Sequence, residues 1–478
     1  LKFLFVHQNF PGQYLHLVRS LLADNEVKRG THEIVFMTEP NLNQIPGVRK
    51  VTYSRPPAPA KEVHQDARDF DLAMRRAKAA WVGARQIKAL GFEPDVIIGH
   101  HGWGEMLNLG DVFPNAPMLG YFEFFYKVGD SDVNFDPEFP MAEQFFSSVR
   151  AKNCVNLQAL ALEQHGQVPT QWQHSTYPGW ARPAIKLIEE GVDLTICRPE
   201  PAIRKTTLKV GSLNVSPRQK LVTYVARNLE PYRGFHTFMR ALPAILDARP
   251  EVVVSVVGGD DVSYGAPHPK GPWRQVLLQE LEGKLDLSRV HFLGKIPYPQ
   301  HISLLQRSDA HVYLSYPFVA SWSLREAMAV GCVVVGSDTR TVTEFVTDRE
   351  TGLVVPALKP ESVSAAVLEA LSDAKLAASL RKNARAYAEK HLDLQDYLRR
   401  YRLVIEEITG QSLLAPPAME AGKPPAREKA KTRAKPPAKS PRRSSAKPPA
   451  KTPPKPPVKT PARIAPGTQG RARTRNAA

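Results

Sequence analysis

Through roughly its first 410 residues the sequence alternates short apolar, β-branched runs with longer amphipathic stretches. Few architectures accept that rhythm. A run too apolar to have a wet face needs cover on both sides, which a parallel sheet flanked by helices provides. The pattern runs twice. In the first half the expected strands are Lys2–Val6, Glu33–Met37, Asp95–Ile98, Pro117–Tyr121 and Ile185–Ile188, with a long helix over Arg68–Ala89. The second half restarts at Leu221–Val225. It continues through Val252–Val257, Val290–Leu293, Ala310–Leu314, Cys332–Gly336 and Gly352–Val355, with helices over Phe235–Leu246 and Pro272–Leu285. Between the halves Pro199–Lys220 is rich in prolines and charges and has little periodicity, so it reads as the linker.

The sequence thus divides into an α/β domain over 1–198, a linker over 199–220, a second α/β domain over 221–394, a helix over 395–414 that packs back on the first domain, and a tail over 415–478. Ligands of such folds bind near the C-terminal ends of the strands, between the lobes.

Composition explains the tail. The chain has 43 prolines in 478 residues, and they crowd its C-terminus in near-repeats such as Ala434–Lys439 and Ala446–Lys451. A segment made of Ala, Pro, Lys, Arg, Ser and Thr buries too little apolar surface to offset chain entropy, so disorder is expected. It also holds seventeen Lys and Arg against Glu420 and Glu428, which is +15 of the formal +17 and leaves the body near neutral. The basic pI therefore says little about the folded part. An anionic surface, either nucleic acid or acidic lipid headgroups, is the tail's expected partner, with a solvated tail that has no partner as the alternative.

Three cysteines, Cys154, Cys197 and Cys332, have no metal-ligand spacing and fit a reducing compartment. No run approaches the roughly 20 apolar residues of a membrane span, and the sequence opens on a strand rather than a signal peptide. A cytoplasmic protein is expected, peripheral at the inner face of the membrane if the tail engages lipid.

Five windows carry chemistry. Phe10-Pro-Gly-Gln-Tyr14 follows the first strand, where Gly12 lets backbone approach a phosphate or sugar, although a plain turn explains it equally well. The run Asp95–Gly104 ends a buried strand in His100 and His101, imidazoles placed where α/β enzymes keep reactive groups. In Arg227-Asn-Leu-Glu-Pro-Tyr-Arg-Gly234, two guanidinium groups bracket a strand-to-helix turn and offer forked donors to a diphosphate. Val257-Gly-Gly-Asp-Asp261 permits close backbone approach at Gly258, with a tight turn as the alternative. The window Tyr313–Asp338 reads strand, loop, short helix, strand. A helix starting near Ser321–Ser323 would point free N–H groups at an anion, and Glu326 one turn inside would accept from ribose hydroxyls or else join a surface ion pair.

Together these windows resemble the retaining GT-B glycosyltransferases of family four, which include many bacterial mannosyl-, glucosyl- and N-acetylglucosaminyltransferases. The resemblance spans roughly Leu1–Gly410 and is strongest over Leu221–Pro356. It implies two Rossmann-like domains facing across a cleft. Arg227 and Arg233 match the diphosphate pair, Glu326 the second signature glutamate, Gly12 the first-loop glycine, and Glu189-Glu-Gly-Val-Asp193 the end of the first lobe.

Two positions depart from the family. The first signature glutamate falls at Phe318, and the histidine after Pro117–Tyr121 falls at Glu123, so Glu123, His100 or His101 takes that place. The resemblance implies Glu123, His100, His101, Arg227 and Arg233 as the catalytic set. Gly12, Arg227, Arg233, Gly258, Ser321, Trp322, Ser323, Leu324 and Glu326 would hold the donor, a nucleotide sugar. No metal or other cofactor is expected, since arginines and a helix N-terminus can absorb the leaving charge. Phe318 leaves two other readings open: a GT-B binding protein without turnover, and a protein whose function lies in the basic tail.

Overall fold

The computed structural model describes residues 1–413. The expected tail, 415–478, lies outside them. Two parallel sheets form the framework, one in each half. The first has seven strands in the order β3-β2-β1-β4-β5-β6-β7: β1 Lys2–Val6, β2 Glu33–Thr38, β3 Val48–Thr52, β4 Val96–His100, β5 Met118–Tyr121, β6 His165–Val168 and β7 Ile185–Leu187. Its neighbours pair in parallel throughout, as right-handed crossovers with covering helices require.

An antiparallel hairpin, β8 Leu208–Val210 and β9 Leu213–Val215, precedes the second sheet. That sheet has the order β12-β11-β10-β13-β14-β15, with β10 Lys220–Asn228, β11 Val252–Gly259, β12 Val290–Gly294, β13 Ala310–Tyr313, β14 Val334–Ser337 and β15 Leu353–Val355. The hairpin falls within the segment read as a linker. Val210, Leu213 and Val215 pack on Leu221, Val253 and Leu304, so its apolar residues belong to the second lobe's core.

Both sheets are buried on both faces. In the first lobe Leu4, Val6, Val35 and Ile97 face the helix Arg68–Ala89 through Ala80, Ala84 and Ile87. On the opposite face Phe3, Phe5, Phe36 and Ile98 pack against Leu17, Val18 and Leu21 of the helix Leu15–Val27. The last described helix, Leu394–Thr409, joins that same cluster through Leu394, Tyr397, Leu398, Tyr401 and Ile405. Arg402 fixes it, since its guanidinium reaches Asp24 at 2.8 and 3.1 Å and Ser20 Oγ at 2.8 Å, all buried.

The chain therefore crosses between lobes twice, and the two passages touch. Val192 N–H donates to the Leu392 carbonyl at 2.9 Å, and Leu394 N–H donates to the Val192 carbonyl at 3.2 Å. A Cβ on Gly191 would lie 2.6 Å from the Asp393 carbonyl oxygen, so only glycine lets the passages come this close.

A first-lobe segment, residues 127–142, lies along the second lobe as a strap. Tyr232 O–H donates to Asp132 at 2.8 Å, Tyr316 O–H to Asp136 at 2.6 Å, and Arg240 grips Glu138 with two bonds of 2.6 and 2.7 Å. Phe139 closes the joint against Trp273 and His236, with ring centroids 4.9 and 5.4 Å apart.

Candidate active site

The cleft wall of the first lobe is built from three strand ends. His7 follows β1, His100 ends β4, and Glu123 lies two residues past β5. The His7 and His100 rings meet edge to face at 5.5 Å, and His100 Nε2 lies 3.7 Å from Glu123 Oε2. Gly102 N–H donates to His100 Nδ1 at 3.1 Å, which leaves the ring proton on Nε2, toward Glu123. Burial would raise the Glu123 carboxyl, but His100, Arg227 and Arg233 outweigh it and hold it below the usual carboxylate range. Burial, with help from His100 and Arg227, pushes the His7 imidazole down to about 3, so His7 is neutral at physiological pH. Gly12, in the left-handed region at φ +55°, packs its backbone over the His7 ring; a Cβ there would sit 3.1 Å from the imidazole.

His101 does not belong to this wall. Its side chain is fully buried beneath the strand end, stacked on Phe122 at 4.6 Å, with Nε2 on the Val155 carbonyl at 2.8 Å. Successive residues leaving β4 point to opposite sides, so one histidine of the pair faces the cleft and the other the core.

The second lobe presents the cations. Arg227, near the end of β10, is exposed and makes no hydrogen bond or ion pair among the described residues. Its charge nevertheless acts on His7 and Glu123 across the cleft. Arg233 is held differently. It is buried, donates from Nη1 to Ser315 Oγ at 3.0 Å and to the Val319 carbonyl at 2.8 Å, and lies 5.0 Å over the Tyr264 ring. Gly258 shapes this loop from behind: a Cβ there would meet Leu229 at 2.7 Å, so its backbone packs on the arginine loop.

The signature helix, Trp322–Ala329, starts at Ser321, whose backbone N–H donates to Tyr313 O–H at 2.8 Å. Ser321 and Ser323 hydroxyls bond each other at 2.7 Å. Leu324 is wholly buried in the core, so only its backbone can serve a donor. Glu326 is bonded to His301 Nε2 at 2.8 Å and is thereby aimed, not left on the surface. Trp322 reaches into the first lobe, where its indole N–H donates to Glu190 at 2.8 Å. Glu190 also accepts from Tyr121 O–H at 3.2 Å and faces Arg325 at 3.6 Å.

Phe318 lies between the lobes. Its ring contacts Phe124 and Tyr264 at 4.8 and 5.2 Å, and its carbonyl accepts from Trp172 Nε1–H at 2.9 Å and Thr341 O–H at 3.0 Å. Where the family has a carboxylate, this chain has an aromatic plug across the cleft. Nearby, Glu344 of the second lobe accepts from the Gln171 and Trp172 backbone N–H groups at 2.7 and 2.8 Å, at the start of a first-lobe helix.

Among the described residues one cluster gathers metal-type ligands, Asp136, Glu138 and His236, with atoms within 4.8 Å of one another. It belongs to the strap: Arg240 occupies Glu138, and Tyr316 and His236 occupy Asp136.

His7, Glu344 and the strap were not read as site features from the sequence, and Glu190, within the Glu189–Asp193 window, was read only as part of the end of the first lobe. His7 alone had a local signal, as the first polar side chain after a buried strand. The others act across long sequence separations, where spacing is silent.

This geometry has known counterparts. Residues 30–197 match the model described as "Glycosyl transferase family 4 group", and residues 208–387 match "Glycosyl transferases group 1". Each half of the chain thus matches a glycosyltransferase family model, the second half that of group 1. Its structure resembles sucrose-phosphate synthase from Thermosynechococcus elongatus, with TM-score 0.64 at 18% identity over 86% of this chain and 99% of that one. It also resembles HepE from Anabaena in complex with UDP and glucose, with TM-score 0.58 at 17% identity over 85% and 99%. The fold is GT-B.

Among curated proteins, D-inositol 3-phosphate glycosyltransferase of Streptomyces avermitilis is 26% identical over 213 residues, 44% of each chain. Phosphatidyl-myo-inositol mannosyltransferase of Mycolicibacterium smegmatis is 29% identical over 167 residues, 34% of this chain and 39% of that one. The matches span less than half the length of either relative. No helix among the described residues is long and apolar enough to cross a membrane.

Proposed function

We propose that this glycosyltransferase moves a sugar, with retention of configuration, from a nucleoside diphosphate sugar held between Arg227, Arg233 and the start of the signature helix. The observation that carries the reading is Arg227, an exposed arginine with no ion-pair partner among the described residues, whose charge acts on His7 and Glu123 of the opposite wall. A diphosphate supplies the missing partner, because a guanidinium offers it paired, charge-assisted donors.

The bond from the sugar's anomeric carbon to the β-phosphate oxygen breaks, and the departing diphosphate keeps the electron pair. Arg227, Arg233 and the N–H groups at the helix start meet that charge, so no metal is needed for it. An acceptor hydroxyl attacks the same face, and its proton passes to the departing phosphate oxygen. Glu123, kept ionised, lies where positive charge develops on the sugar ring, and His100 positions it. Glu326, steered by His301, receives the ribose hydroxyls.

The cytoplasm suits this chemistry and the three unpaired cysteines. With Phe318 in place of the signature glutamate, sugar contacts fall to backbone groups and to Glu123. The test is incubation with radiolabelled UDP-, GDP- and ADP-sugars, followed by analysis of anomeric configuration in the product. Release or transfer with retention supports the reading. Tight nucleotide binding without any turnover would favour a binding protein instead.

A further inference from the structure

A second concavity opens beside the cleft. It encloses about 650 Å³ and is walled by Phe125 to Ser131, the Trp172 helix and Arg340. That volume lies within the range for small-molecule sites. Three cations, Lys127, Arg150 and Arg340, line it against one carboxylate, Asp130, and none of the three forms an ion pair among the described residues. Its aromatic lining is Phe125, Tyr126 and Trp172. The Trp172 ring is fixed by its own N–H on the Phe318 carbonyl and lies 5.4 Å from the Arg340 guanidinium. Arg340 comes from the second lobe and every other lining residue from the first. The groove is thus complete only while the lobes are together.

We propose that this groove seats the acceptor of the reaction, and that the acceptor is a saccharide bearing an acidic group, phosphate or carboxylate. The inference rests on the glycosyltransferase reading above. The half-buried Phe125 and Tyr126 rings offer apolar surface to a sugar ring, and guanidinium groups with no ion pair among the described residues, set in a concave site, select an anion. The groove also adjoins the reaction centre. Phe125 stands two residues after Glu123, and Gln173, next to Trp172, donates to the Glu123 carbonyl at 2.7 Å. The acidic group stays on the acceptor, and only a hydroxyl reacts.

The experiment is calorimetric titration of the full chain with glucose 6-phosphate, glucuronate and glucose, repeated with Arg150→Ala, Arg340→Ala and Arg340→Lys. The basic tail attracts anions in every variant, so the readout is the difference between parent and variant. The charged sugars should bind about 10-fold more tightly than glucose, and each Ala variant should lose about 10-fold of that affinity, with part restored by Lys. Undiminished binding of the charged sugars by both Ala variants overturns the proposal, as does equal affinity for glucose. Phosphatidylglycerol vesicles distinguish the sources: displacement of glucose 6-phosphate from the groove marks a lipid-borne acceptor, and retention marks a soluble acidic saccharide. UDP is titrated in parallel. Failure of UDP to bind the parent chain strikes the donor reading alone, whereas equal sugar binding by parent and variants strikes the groove alone.

Discussion

The two walls of the cleft are built on opposite plans. The second lobe supplies cations on a local pattern: a strand end, an arginine at each side of a turn, and a helix start. The first lobe supplies histidines and a carboxylate gathered from three separate strand ends, closed by a strap and an aromatic plug. On the proposed reading, a diphosphate is much the same in every donor, so one loop and one helix would suffice to bind it. The transferred sugar and the acceptor would vary, which fits a wall assembled from parts far apart in sequence.

The strongest test of this contrast is at Phe318. Phe318→Ala should cost about 3 to 5 kcal/mol, read as a lower midpoint in urea unfolding, because it empties an aromatic cluster shared by both lobes. Phe318→Glu restores the family's residue but puts a charge among apolar rings, so it should also destabilise and gain no turnover. A more active Phe318→Glu protein would break the comparison, since it would show that the sugar still reaches this position.

Glu123→Gln tests the first wall. Turnover should fall about 100-fold, as for loss of one preorganised electrostatic group, while UDP affinity stays the same. A matching loss of UDP affinity would move Glu123 to the donor side.

For the second wall, Arg227→Ala should weaken UDP binding by roughly 10- to 100-fold and leave thermal stability unchanged, because the side chain has no ion-pair partner among the described residues to lose. Uridine binding should be indifferent to the change. Arg233→Ala should lose both UDP affinity and stability, since Arg233 also ties Ser315 to Val319. Calorimetry and melting curves on the two variants separate these outcomes.

A further test concerns pH. Burial holds His7 and His311 at about 3 and His101 at about 4, below the ordinary value of 6.5. Below roughly pH 6.5 the unfolded chain takes up protons that these folded histidines refuse. Their contribution to stability is therefore complete above that pH and declines on acidification, by about 1.4 kcal/mol per pH unit for each histidine. Urea unfolding at pH 7, 6 and 5 should show the slope, and His311→Asn should flatten it by one histidine's share.

How much of this could be read in advance follows the same division. The helix Arg68–Ala89 and most strands were legible because their apolar periods are strong, and the arginine loop and signature helix because their chemistry is local. Val48–Thr52 was missed as a strand, since an edge position lets it carry Arg49 and Lys50. His165–Val168 was missed because His, Gly and Gln hide a strand that gains its cover from its neighbours. The hairpin at 208–215 was hidden among the charges and prolines around it. His100 and His101 look equivalent in sequence, and only the geometry of the strand end separates a cleft residue from a core one.

The contact between the two chain passages at Gly191 and Asp393 has a mechanical consequence. A single tether would let the lobes swivel in any direction. Two backbones bonded side by side act as a pin: bending about their common line keeps both bonds, while twisting shears them. A swing that keeps both bonds, once the strap and the other cross-lobe bonds let go, is then a bend about that line, and its angle sets how far Arg227 stands from His7 and Glu123.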